Sequence, residues 1–151
     1  MATNTLLQKL DGEADGFGST TTNRQQVEVF LAASAITAGQ WVSFDVTKTG
    51  ADKVLYVRVI DTSGGAVAIG VPTVGVALDT VAIGDRVRVV VGGYVASASV
   101  ATGSTAGLAL ALDTTTSGRA TIADAANVNI AGIALADAAS NVAPCWVHKQ
   151  F

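Results

Sequence analysis

The sequence predicts an all-β chain: a compact β-sandwich or barrel built from two similar β units, preceded by an extended N-terminal arm. Three observations carry this expectation. Apolar residues recur with a period of two from Val27 onward, the mark of strands with one buried face. Glycine-rich turn signals separate these runs at short intervals. One stretch of strand and turn is also echoed 57 residues further along.

The period-two runs are explicit. Val42, Phe44 and Val46 alternate with Trp41, Ser43 and Asp45; Leu55, Val57 and Val59 alternate with Tyr56 and Arg58; Val87, Val89 and Val91 alternate with Arg86 and Arg88. Between them lie Lys48-Thr49-Gly50, Ser63-Gly64-Gly65, Gly92-Gly93 and Thr116-Ser117-Gly118. Strands spaced in this way suit a sandwich or barrel.

Residues 1–26 differ from the rest, with only Leu6, Leu7, Leu10 and Phe17 as sizeable apolar groups among Gly, Thr, Asn, Gln and acids. They are expected to form an arm, and the β domain to occupy residues 27–151. Leu6, Leu7 and Leu10 would share one face of a helical turn. A frayed terminus and a tether that orders on a partner are both consistent with this composition.

A recurring unit of apolar residue, two residues, Gly and a polar residue precedes strands at Ile36–Gln40, Val81–Asp85 and Val100–Ser104. Gly39, Gly84 and Gly103 then occupy turn positions that require positive φ. Val74-Gly75-Val76-Ala77-Leu78 matches Ala131-Gly132-Ile133-Ala134-Leu135, and the same offset sets Gly84 on Asn141. Asn is the non-glycine residue that best tolerates that region. Two pseudo-repeats, at about 34–91 and 98–148, are expected, with the Arg86–Val91 strand over Pro144–His148.

These motifs resemble those of the capsid decoration (cement, or head-stabilising) proteins of tailed bacteriophages. The resemblance rests on Ile36–Val42, Val74–Ala77, Gly84–Gly92 and Ala131–Leu135 in that order, and covers about residues 34–148. It implies a compact β fold, a homotrimer, and a place on the outer surface of an icosahedral shell, bound to the major capsid protein. It implies no catalytic residue and no cofactor.

Composition narrows the function classes independently. Half of the 151 residues are hydrophobic but only 14% are charged, against a usual quarter. Disorder is not expected from such a chain. The formal net charge is −3 and the nine Lys and Arg are scattered, which argues against nucleic acid. No apolar run is long enough for a membrane helix, and Met1–Thr5 lacks a signal-peptide pattern. Synthesis in a cytoplasm is expected, and the single Cys145 agrees with it.

Catalytic chemistry lacks its parts. Cys145 and His148, the one thiol and the one imidazole, lie three apart on an expected strand and so face opposite ways. Two such groups are too few for an ordinary zinc site. Asp61-Thr62-Ser63 brushes against an aspartic-protease signature but lacks its Gly and a second copy. Asp11–Gly16 imitates the start of a calcium loop, yet Thr22 stands where a bidentate Glu belongs. Lys53, at an expected hairpin tip, reads as an ordinary exposed lysine.

The expectation is therefore a structural virion protein that clips neighbouring capsid subunits together, with no small-molecule substrate. The interaction candidates are Leu6, Leu7, Leu10, Phe17, Trp41 and Trp146. For both tryptophans core packing is the competing assignment, since Trp serves cores and interface hot spots alike. A receptor-binding or adhesive β module of a tail or cell surface is the alternative.

Overall fold

A computed structural model describes residues 24–60, 73–124 and 129–150. Its strands are β1 (Gln25–Ala32), β2 (Trp41–Phe44), β3 (Tyr56–Val59), β4 (Thr73–Ala77), β5 (Arg86–Ser99), β6 (Ala109–Leu112), β7 (Ala120–Ile122), β8 (Ile130–Ala134) and β9 (Val142–Val147). They form one sheet in the order β1-β3-β2-β4-β5-β9-β8-β6-β7, with β1 also paired to β5. The chain is all-β, as its periodicity requires, and β1 begins at Gln25, two residues before the expected boundary.

The pairing of β1 with β5 closes β1, β3, β2, β4 and the first half of β5 into a five-stranded barrel. Its interior is filled by Phe30, Ala32, Val42, Val57, Val74, Val87, Val89 and Val91, all buried. Small β-branched side chains suit so narrow a barrel. Closure also removes the open edges that invite aggregation.

The second half of β5 begins the same construction again. With β7, β6, β8 and β9 it surrounds Val95, Ala98, Leu110, Leu112, Ala134, Ala143 and Cys145. A single parallel bridge, Val100 to Ala120, brings β5 back to β7. This mirrors the parallel pairing of Ala32 with Val57 between β1 and β3.

The likeness between the units extends to single hydrogen bonds. The amides of Ala33 and Ala101 donate to Val57 O and Ala120 O, both at 2.7 Å, and those of Gly39 and Gly107 to Ala77 O and Ala134 O, both at 2.8 Å. β2 bulges between Val42 and Ser43 opposite β4, and β6 bulges between Leu110 and Ala111 opposite β8.

Gly39, Gly84 and Gly103 all have the expected positive φ (88°, 89° and 95°), and the counterpart of Gly39 in the second unit is Gly107, at φ 83°. Gly103 corners a different turn. The last strand is slipped by one residue from the expected alignment. In the first unit Val81 to Asp85 turns through Gly84 at φ 89°. In the second, Ser140 and Asn141 (φ 51° and 62°) make a two-residue turn, and Ala139 and Val142 exchange both backbone hydrogen bonds across it. Positive φ at both central residues is the preferred hairpin geometry. Being shorter, that turn sets Trp146, not Val147, in the place that Val90 holds in the first unit.

A carboxylate ends the second strand of each unit. Asp45 accepts from the Thr47 amide (3.1 Å) and hydroxyl (2.7 Å); Asp113 accepts from the Thr115 amide and hydroxyl, both at 2.7 Å. Asp113 also holds Arg119 in an ion pair of 2.6 Å. Burial alone would raise both carboxyl pKa values, but hydrogen bonds from the threonines, with Arg58 near Asp45 and Arg119 at Asp113, outweigh it and hold both low. A depressed carboxyl pKa gives stability that is full at neutral pH and is lost as pH falls through the folded value. Asp113→Asn is therefore expected to cost about 2 kcal/mol at pH 7 and to flatten the acid limb of stability against pH, as followed by urea melts.

One position is unequal between the units. Ile36 is buried in the first, and its counterpart Ser104 is buried with an unpartnered Oγ. Removing a buried unsatisfied hydroxyl recovers its desolvation cost, so Ser104→Ala is expected to stabilise the fold by about 1 kcal/mol in the same melts.

Candidate interaction surface

Backbone pairing defines rows of side chains that cross the sheet on one face. In the first unit one outward row is Trp41, Val76 and Val90, which are direct partners across β2, β4 and β5. All three are fully buried, because the second unit's core packs over them. The corresponding row in the second unit is Ala109, Ile133 and Trp146, partnered across β6, β8 and β9, and it continues to Tyr94 on β5. No described part of the chain covers this second row. Trp146 stays 36% exposed, and Leu135 and Val142 beside it 47% and 43%.

The open row and its flank (Tyr94, Ile133, Leu135, Val142, Pro144, Trp146) contain no Asp, Glu, Lys or Arg. A charge-free apolar patch of this kind is a candidate contact surface. A second exposed apolar group, Val46, Val54 and Leu55, lies on the β2–β3 connection. It is interrupted by Lys48, Asp52 and Lys53. Lys53 there sits in an exposed 3-10 turn, Gly50–Val54.

The two tryptophans part company in this frame. Trp41 is not a surface contact. Its ring lies in the shared core, and its Nε1–H donates to Ser99 O at 3.0 Å. Its backbone amide donates to Gly118 O, whose own amide donates to Ile60 O, while the Ser99 amide donates to Gly39 O. Trp41 is thus the joint between the units. Trp146 is on the surface, between Tyr94 and Ile133.

Gly84, Gly103 and Asn141 serve as turn corners, and Asn141 Oδ1 also accepts from the Thr102 hydroxyl at 2.8 Å. Leu6, Leu7, Leu10 and Phe17 lie outside the described residues, as do Asp11–Gly16 and Asp61–Gly65. Cys145 points into the core, and burial pushes its thiol pKa up to about 12. A thiol so far from ionising is a poor nucleophile. Tyr94, Ile133, Leu135, Val142 and Pro144 were not singled out by sequence. A constant 57-residue offset would set Trp146 at the place of Val89, a barrel-core position, and the observed slip of one residue exchanges faces.

The fold and the open row define an all-β body, a closed five-stranded barrel joined to a second unit of similar strand arrangement, whose Trp146 row no described residue covers. No protein-family model and no curated protein matches the sequence. Among solved structures, the N-terminal base of the head fibre protein gp8.5 of bacteriophage phi29 is similar to it, with a TM-score of 0.51 and 18% identity, over 83% of this chain and 95% of that one. At that identity the likeness is one of fold.

Proposed function

We propose that this chain is a structural protein of a phage virion. It binds the outer surface of an icosahedral head and stabilises the shell by clipping neighbouring capsid subunits together. The observation that carries this reading is the uncharged row around Trp146, left bare although its counterpart in the first unit is buried. The fold shared with a phage head fibre base supports a place on the head, and the motif resemblance supports decoration. The partners are then the major capsid protein and sister copies in a homotrimer. No catalytic group, cofactor, nucleic acid or membrane takes part.

Avidity makes weak contacts sufficient. A surface binding at about millimolar affinity supplies roughly 4 kcal/mol. Three such surfaces joined in a trimer gain about 10²–10⁴ in avidity. Trp146 is the natural anchor, because truncating a tryptophan hot spot typically costs about 2 kcal/mol or more, or about 30-fold in affinity. Trp146→Asp is expected to keep the fold, since the side chain stands on the outer face of β9 and outside both core clusters, and to lose co-sedimentation with phage capsids. Undiminished co-sedimentation would remove the row from the contact.

A further inference from the structure

The joint between the two units is a turn seated in an opened strand pair. In a hydrogen-bonded antiparallel pair both backbone bonds are exchanged. Trp41 and Ile60 keep only one, from the Ile60 amide to Trp41 O at 3.4 Å. Gly118, on the β6–β7 connection, enters the gap: the Trp41 amide donates to Gly118 O and the Gly118 amide to Ile60 O, both at 2.9 Å. The seat is narrow. A Cβ on Gly118 would stand 2.9 Å from Val59 Cγ1 and 3.1 Å from Gln40 Cβ, and its φ is 69°.

Both halves of this joint occur twice. The second unit opens the pair Ala109–Ala123, the counterparts of Trp41 and Ile60, in the same way. The Ala123 amide donates to Ala109 O at 2.9 Å, while the Ala109 amide and Ala123 O have no bond to a described residue. By register Leu108 and Ile122 stand where Gln40 and Val59 wall the first seat, and Leu108 is 43% exposed. The turn has its double as well. Counted from the clasping carboxylates Asp45 and Asp113, Gly50 falls where Gly118 does. Its φ is 55°, nothing lies within 4 Å of its Cβ position, and residues 51–55 after it are all exposed. Ten residues separate Asp45 from Tyr56, whose O accepts from the Asp45 amide, and five separate Asp113 from Arg119, joined by the same bond. The shorter second connection shows that such a barrel closes without the additional residues. In the first unit they carry Val54 and Leu55 into solvent.

We infer that the free seat of one copy takes the free turn of the next: Gly50 of a second copy of this chain enters the Ala109–Ala123 pair, with Val54 and Leu55 against Leu108 and the near end of the Trp146 row. The joint inside the chain is the template, with the roles of the units exchanged. Charge agrees, since the turn carries Lys48 and Lys53 against one exposed acid, Asp52, and Asp124 follows Ala123 at the seat. A contact between unlike surfaces runs from copy to copy and closes into a ring where the rotation allows. The inference takes its partner from the sister copies of the reading above and rests on that part of it alone. Mass in solution, measured without capsids, reads this contact, and co-sedimentation reads the capsid contact, so each can fail without the other.

Two variants of the full-length chain make the test. Gly50→Asn keeps the turn, because Asn tolerates positive φ and finds open space there, but adds a side chain that a seat of this kind does not admit. Leu108→Asp spoils the wall of the seat and leaves the turn intact. Sedimentation equilibrium is expected to show the native chain associating and each variant alone weakened by at least about tenfold, with native far-ultraviolet dichroism. Mixed, the two restore a 1:1 pair, because the intact turn of one meets the intact seat of the other. Each variant decides the contact by itself should the other not fold. A native chain that stays monomeric at every concentration overturns the inference, as does a folded variant that associates like the native chain. A mixture that associates no better than its parts assigns the contact to like surfaces, and overturns it too.

Discussion

Trp41→Ala is expected to lower stability by about 3–5 kcal/mol, the range for deleting a buried aromatic side chain, against a total of about 5–15 kcal/mol for a domain. The cost is large because the indole is shared. Its ring packs with Ile60, Val76 and Val90 of the first unit and with the second unit's core. Its Nε1–H satisfies Ser99 O. Trp41→Phe keeps most of the buried area but leaves that carbonyl without its donor, so about 1–2 kcal/mol is expected. Urea melts followed separately by far-ultraviolet dichroism and Trp146 fluorescence would read both variants. Because the joint holds the units together, Trp41→Ala is also expected to separate the two transitions, whereas the native chain melts as one.

The second large effect lies in two glycines. Gly75 in β4 and Gly132 in β8 are mid-strand counterparts, each pressed against the backbone of the following strand. A Cβ on Gly75 would collide with Val90 O and come within 2.8 Å of Val90 C; one on Gly132 would collide with Trp146 O and meet Trp41 Cη2 at 3.3 Å. Backbone cannot yield as a side-chain tip does, so overpacking should reach or exceed the usual 1–3 kcal/mol, about 3 kcal/mol for each alanine. Gly103→Ala is the control. Nothing lies within 4 Å of its Cβ position, and only its φ of 95° opposes the change, at about 1–2 kcal/mol. Stabilities in the order Gly103→Ala above Gly75→Ala and Gly132→Ala would confirm that space, not φ, governs the mid-strand pair.

These same residues show what was legible in the sequence. Gly75 and Gly132 stand out because both sit in a Gly-apolar-Ala-Leu run, and the strand and turn between them are nearly equal in length in the two units. The first strands were harder to match. The β2–β3 and β3–β4 connections are both longer than their counterparts β6–β7 and β7–β8, so the true partner of Thr37-Ala38-Gly39, Thr105-Ala106-Gly107, falls outside the 57-residue offset. The nearer Val100–Ser104 took its place. Asp45-Val46-Thr47 and Asp113-Thr114-Thr115 are repeated clasps of three residues, too short to notice without their geometry.

Burial was the least legible property. Trp41 and Trp146 look alike in sequence, each among small apolar residues. Strand pairing decides between them: one row is overlain by the second unit and the other is not. Val42 and Trp41 are both buried on opposite faces of β2 because that strand lies between two cores. A simple inside–outside alternation fails there for the same reason.

Reconstruction of a virion that carries this chain tests the proposed role most directly. The prediction is this β body on the outer surface of the head, with the Trp146 row closed against a capsid subunit or a sister copy. A body found only on the tail, or one on the head whose Trp146 row faces solvent in every copy, would contradict it.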